Sequence, residues 1–60
     1  MEFYKIIDVA ISNIKRLNKI KSKRTLDNEE SYLFNLYKII LTKNDTGIYT
    51  KEVKDIIYND

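Results

Sequence analysis

Sixty residues pass without a proline and with a single glycine, Gly47. The backbone therefore has one residue free to take a positive φ and none that would stop a helix by lacking an amide proton. Such a chain can turn only where short polar residues collect, and the stretches between must be long regular elements. Sixty residues also make one domain, and a domain of that size buries only about 60% of the surface its unfolded chain exposes. Stability must then be concentrated in one small core.

Apolar spacing says which regular element to expect. From Glu2 to about Ile20, polar residues recur at Lys5, Asp8, Ser12, Lys15 and Lys19, with Phe3, Ile7, Ala10, Ile14 and Leu17 opposite them. Steps of three and four are those of a helix. A strand would place Lys5 on the face of Phe3 and Ile7, and Asp8 on the face of Ile6 and Ala10, leaving neither face clean. A second helix is expected to begin near Leu26 to Asn28 and to end near Lys43. Asp27-x-x-Glu30 offers a capping box there, and Asp27, Glu29 and Glu30 crowd the positive end of the dipole. Its apolar set is Leu33, Leu36, Tyr37, Ile40 and Leu41. Asn44-Asp45-Thr46-Gly47 then supplies turn formers. Thr50 is placed to cap a short third helix carrying Glu52 in its first turn and Val53, Ile56 and Ile57 on one face, with Ile48 and Tyr49 packing at its entry. Tyr58-Asn59-Asp60 is expected to fray. The expected fold is all-α, one domain over residues 1–60: a helical hairpin closed by a short third helix, a small three-helix bundle. Its core would hold Phe3, Ile7, Ile14, Leu17, Leu33, Leu36, Ile40, Val53 and Ile57.

Missing residue types bear on chemistry. With no Cys there is no disulfide, thiolate nucleophile or Cys-ligated metal, and with no His there is no imidazole base or His-ligated metal. Setting Gly47 at the sixth position of an EF-hand loop puts Thr42, Asn44, Thr46 and Val53 where carboxylates are needed, so that register fails. The acids at Asp27, Glu29 and Glu30 read as helix-capping residues. The expectation is a protein that is not an enzyme, without catalytic residues, metal or cofactor. Apolar runs such as Ile39-Ile40-Leu41 are three residues long, whereas a membrane span needs about 20 and a signal-peptide core at least about 7. A cytoplasmic protein with no membrane role is expected. The abundance of Lys, Ile, Asn and Tyr suits an A+T-rich genome, and small helical regulators of this kind are common among phage and plasmid products.

Charge is unevenly placed. Met1 to Arg24 carries seven basic and two acidic residues, and the remainder four basic and seven acidic, for a net +2. Six of the basic residues, Lys15, Arg16, Lys19, Lys21, Lys23 and Arg24, follow one another with no acid between them. They are the candidate contacts to phosphates if the chain is a nucleic-acid-binding accessory protein. Cations at a helix C-terminus also favour the dipole, and lysine runs form solvated faces. None of the five Tyr residues lies in the basic stretch, which favours core edges and protein interfaces over base stacking for them.

Leu36, Tyr37, Ile40, Thr50, Glu52, Val53 and Ile57 are spaced as in a helix, a turn and a Thr-capped helix. In this they resemble the first two helices of a winged-helix DNA-binding domain. The resemblance covers 22 residues, Leu36 to Ile57, and implies a recognition helix to follow. That family's groove-reading residues have no counterparts in these 60 residues.

The width of the apolar faces points elsewhere. At 100° per residue, the apolar positions of the first helix span an arc of roughly 220°, and those of the second a similar one, against the roughly 100° that a surface helix needs. The excess predicts a protein-interaction or regulatory module that binds through a helical apolar surface, with a second copy of itself as the expected partner in a homodimer and another protein as a further one. The candidate interface residues are Phe3, Ile6, Ile7, Ala10, Ile11, Ile14, Leu17, Tyr32, Phe34 and Ile39. Phe3, Ile7, Ala10, Ile14 and Leu17 alternate steps of four and three, which suits lengthwise helix packing, so the first helix of each copy is expected to supply much of the interface of a two-fold dimer; the alternative is that this seam packs against the second helix of the same chain.

Overall fold

A computed structural model describes the backbone of residues 3–58 and the side chains of residues 5–58. It consists of α1 (Phe3–Lys21), α2 (Asn28–Lys43) and α3 (Lys51–Tyr58), with no strand among the described residues. The all-α bundle of three helices expected from the spacing is what forms. Lys21 at the end of α1 lies over the ring of Phe34, 5.0 Å from its centroid, while Ile6 and Val9 near its start share a groove with Tyr37 and Ile40. α1 and α2 therefore run antiparallel, and α3 packs against both.

Each end of α2 is fixed by the residues that the sequence puts there. At its start, the Glu30 amide donates to Asp27 Oδ1 (2.7 Å) and the Asp27 amide donates to Glu30 Oε1 (3.0 Å), the reciprocal arrangement of a capping box. Arg24 adds a fork, Nη1 to Glu30 Oε1 at 2.9 Å and Nη2 to Oε2 at 2.8 Å. At its end, Asn44 Nδ2 donates to the Ile40 carbonyl (2.8 Å), and the buried Tyr49 hydroxyl donates to the Leu41 carbonyl (2.9 Å). Carbonyls in the last turn of a helix have no intrahelical partner, so these bonds satisfy groups that would otherwise need water. The chain then turns at Gly47, whose φ of +88° would strain other residues and whose amide donates to Asp45 Oδ1 (2.8 Å). Thr50 Oγ1 accepts from the Val53 amide at 3.4 Å, a long bond for the expected cap of α3.

The core gathers Ile7, Ala10, Ile14 and Leu17 of α1, Phe34 and Leu41 of α2, Tyr49, and Val53, Ile56 and Ile57 of α3. Five expected core residues are among them: Ile7, Ile14, Leu17, Val53 and Ile57. Leu33 and Ile40 are half-buried at its edge. Leu36 is not a core residue, being 37% exposed. α2 turns Phe34 and Leu41 inward, and Leu36, two residues on from Phe34, falls on the other side of the helix. The Phe3 side chain lies outside the described residues. Tyr58, expected in a frayed tail, is helical, and its hydroxyl donates to Asp45 Oδ2 at 2.6 Å. Asn59 and Asp60 lie outside the described residues.

Candidate interaction surface

Of the ten candidate interface residues, Ile7, Ala10, Ile14 and Leu17 are buried between α1 and the rest of the bundle, and Phe34 is buried on α2. The lengthwise seam of α1 is thus used within the chain, and these five have little exposed surface. Phe3 falls outside the described side chains. Ile11 is half-buried and lines, with Ile7, Ile48, Tyr49 and Val53, a groove of about 670 Å³ between α1 and the α2–α3 connector. Ile6, Tyr32 and Ile39 are exposed.

The exposed residues fall into two groups. Ile6 and Val9 of α1 meet Tyr37 and Ile40 of α2 across a shallow apolar groove of about 240 Å³. On α2 itself, Tyr32 (67% exposed), Leu36 (37%) and Ile39 (53%) form a stripe on the side opposite Phe34 and Leu41. Leu36 and Ile40, four residues apart, are neighbours on the helix surface, so the stripe runs on toward the shallow groove. Sequence reasoning missed Val9, Leu36 and Ile48 as exposed residues. For Leu36 the signal exists only once the inward pair of α2 is known.

The basic stretch is partly engaged by other parts of the chain. Lys15 Nζ lies 3.4 Å from Glu52 Oε1 on α3, Arg24 is forked on Glu30, and Arg16 Nη2 donates to Asn13 Oδ1 at 3.1 Å. Lys21, Lys23 and Arg24 line a cup of about 590 Å³ at the α1–α2 connector, with Leu26, Ser31 and Phe34. Lys19 is exposed. The exposed side chains of α3, Lys51, Glu52, Asp55 and Tyr58, carry mixed charge, an unsuitable face to press against phosphates.

Titratable groups report the same contacts. The Arg24 guanidinium, with help from the Asp27 amide, holds the Glu30 carboxyl below its usual range. The Tyr58 hydroxyl, followed by the Gly47 amide, does the same for Asp45, and the bond to Asp45 raises Tyr58 in turn. Burial raises Tyr49. Among the described residues no group of three or more acids is placed to hold a metal ion, and no helix is long and apolar enough to cross a membrane. No protein family, curated protein or solved structure matches this chain.

Proposed function

We propose that this chain is a small non-enzymatic interaction protein that acts by self-association through the outward face of α2, extended by Ile6 and Val9 of α1. The observation that supports it is the stripe Tyr32, Leu36 and Ile39, three large apolar side chains left in water on a helix whose opposite face already fills the core. Scattered apolar residues are ordinary on a surface, whereas a contiguous set on one face marks a contact site. Sedimentation equilibrium at micromolar concentration should give a mass near twice 7.2 kDa. The melting temperature should rise with protein concentration, since association stabilises by mass action. A folded monomer whose melting temperature is independent of concentration overturns self-association.

A second reading rests on the basic cup at the α1–α2 connector, lined by Lys21, Lys23 and Arg24. In it the chain binds nucleic acid through phosphates, without reading sequence. Binding to duplex or single strands should then be measurable at about 50 mM salt and fall steeply as salt rises. No binding at that salt ends this reading.

A further inference from the structure

The outward stripe of α2 ends in opposite charges. Glu29 lies in the first turn of the helix and Lys43 in the last. Advancing 100° per residue, Glu29, Tyr32, Leu36, Ile39 and Lys43 all fall within an arc of about 80°. Their spacing is three, four, three, four, that of a helix packing lengthwise on another. Glu29 and Lys43 form no ion pair with another described residue. They stand about 21 Å apart along the axis at 1.5 Å per residue.

Resting on the self-association proposed above, we infer that two copies pair through antiparallel α2 helices on a two-fold axis that passes beside Leu36. In that register Leu36 meets the partner's Leu36, Tyr32 lies across from the partner's Ile39, and Glu29 faces the partner's Lys43. Two-fold symmetry makes each unlike contact twice. The apolar centre supplies the contact area, and the two charge pairs at its ends fix direction and register, the role that flanking charges play in paired helices. The stripe is self-complementary in charge, which selects a second copy of this chain as its occupant.

Charge reversal tests this independently of the self-association itself. Glu29→Lys alone and Lys43→Glu alone should each weaken the homodimer, because like charges then face each other twice, and a loss of roughly tenfold is expected for exposed pairs. Mixing the two variants should restore association, since every facing pair in the mixed dimer is again unlike. Each monomer in the mixture is the same molecule measured alone, so a changed fold cannot imitate the rescue, and circular dichroism of each variant checks that it is helical. Ile39→Asp, which sets a carboxylate in the apolar part of the stripe opposite the partner's Tyr32, should abolish the dimer. A wild-type dimer unaffected by either reversal, or a mixture no tighter than its components, overturns the antiparallel α2 pairing and leaves self-association standing. A wild-type chain that stays monomeric overturns both.

Discussion

At the start of α2 the chain is held by charge in the open, with Arg24 forked on Glu30 beside the Asp27 cap. At its end the chain is held by a buried ring, with Tyr49 packed in the core and its hydroxyl on the Leu41 carbonyl. Both connectors satisfy helix ends, but they draw on different physics. Exposed ion pairs contribute little and are screened by salt. A buried aromatic ring removes apolar area from water and leaves a cavity when deleted. The first connector should therefore respond to the solvent, and the second to changes in side-chain shape.

The largest expected effect is that of Tyr49→Ala, which removes both ring and hydroxyl and should cost about 3–5 kcal/mol, measured by urea denaturation. In so small a domain that is most of the stability expected. Should it cost less than Asp27→Ala, the contrast between the two connectors is reversed. Tyr49→Phe keeps the ring and removes only the donor. Leu41 retains the Asn44 amide, which donates to its carbonyl at 3.3 Å, so the loss should be about 1 kcal/mol.

Asp27→Ala removes the side-chain half of the capping box and should likewise cost about 1 kcal/mol by the same measurement. A smaller effect, visible in its salt dependence, is expected for Arg24→Gln. It should lower the melting temperature at low ionic strength and make little difference at 1 M salt, where the Debye length is about 3 Å. An equal loss at both salt concentrations would mean that Arg24 acts by packing.

pH provides the finest comparison. Glu30 and Asp45 have lowered carboxyl pKa values. The unfolded chain therefore binds protons first as acid is added, and the stability these groups supply at neutral pH is lost as pH falls through and below the ordinary carboxylate range. Both ends of α2 share that loss. Tyr49 and Tyr58 have raised pKa values, so their contribution is present at neutral pH and is lost as pH rises through and above the ordinary tyrosine range. Only the second connector carries it. Melting followed from neutral to alkaline pH should show a decline that Tyr49→Phe with Tyr58→Phe flattens. An unchanged slope in the double variant would assign the decline to other groups.

The helix boundaries were legible because local rules set them. Asp27 and Glu30 announce the start of α2, and Asn44 to Gly47 its end. The direction in which α2 faces was not legible, because its apolar residues span an arc of roughly 220°, with the Phe34–Leu41 side at one edge and the Tyr32–Ile39 side at the other. With Leu33, Phe34, Leu36, Ile39, Ile40 and Leu41 all available, no polar residue distinguishes the Phe34–Leu41 side from the Leu36 side. That one rotation exposes Leu36, expected in the core, and buries Phe34, expected on the outer surface. On α1 the polar residues Lys5, Asp8, Ser12, Lys15 and Lys19 mark the outer face, and Ile7, Ile14 and Leu17 opposite them are buried as the expected core had them, although the same seam also stood among the candidate interface residues. Arg24 read as one member of a basic run because its partner, Glu30, lies across a turn whose geometry the spacing does not specify.

Glu29 and Glu30 stand in the first turn of α2 and Lys43 in its last, the order that a helix dipole favours within a single chain. A helix charged in this order carries a direction that a neighbour can read. A copy laid alongside it head to head would bring acid to acid at one end and lysine to lysine at the other, and facing like charges are unfavourable. If two α2 helices pair as proposed, the residues that steady α2 in the monomer also disfavour one of the two orientations open to them. In the pairing proposed above, a substitution at Glu29 or Lys43 is therefore expected to register twice, once in the stability of the helix and once in the choice of orientation.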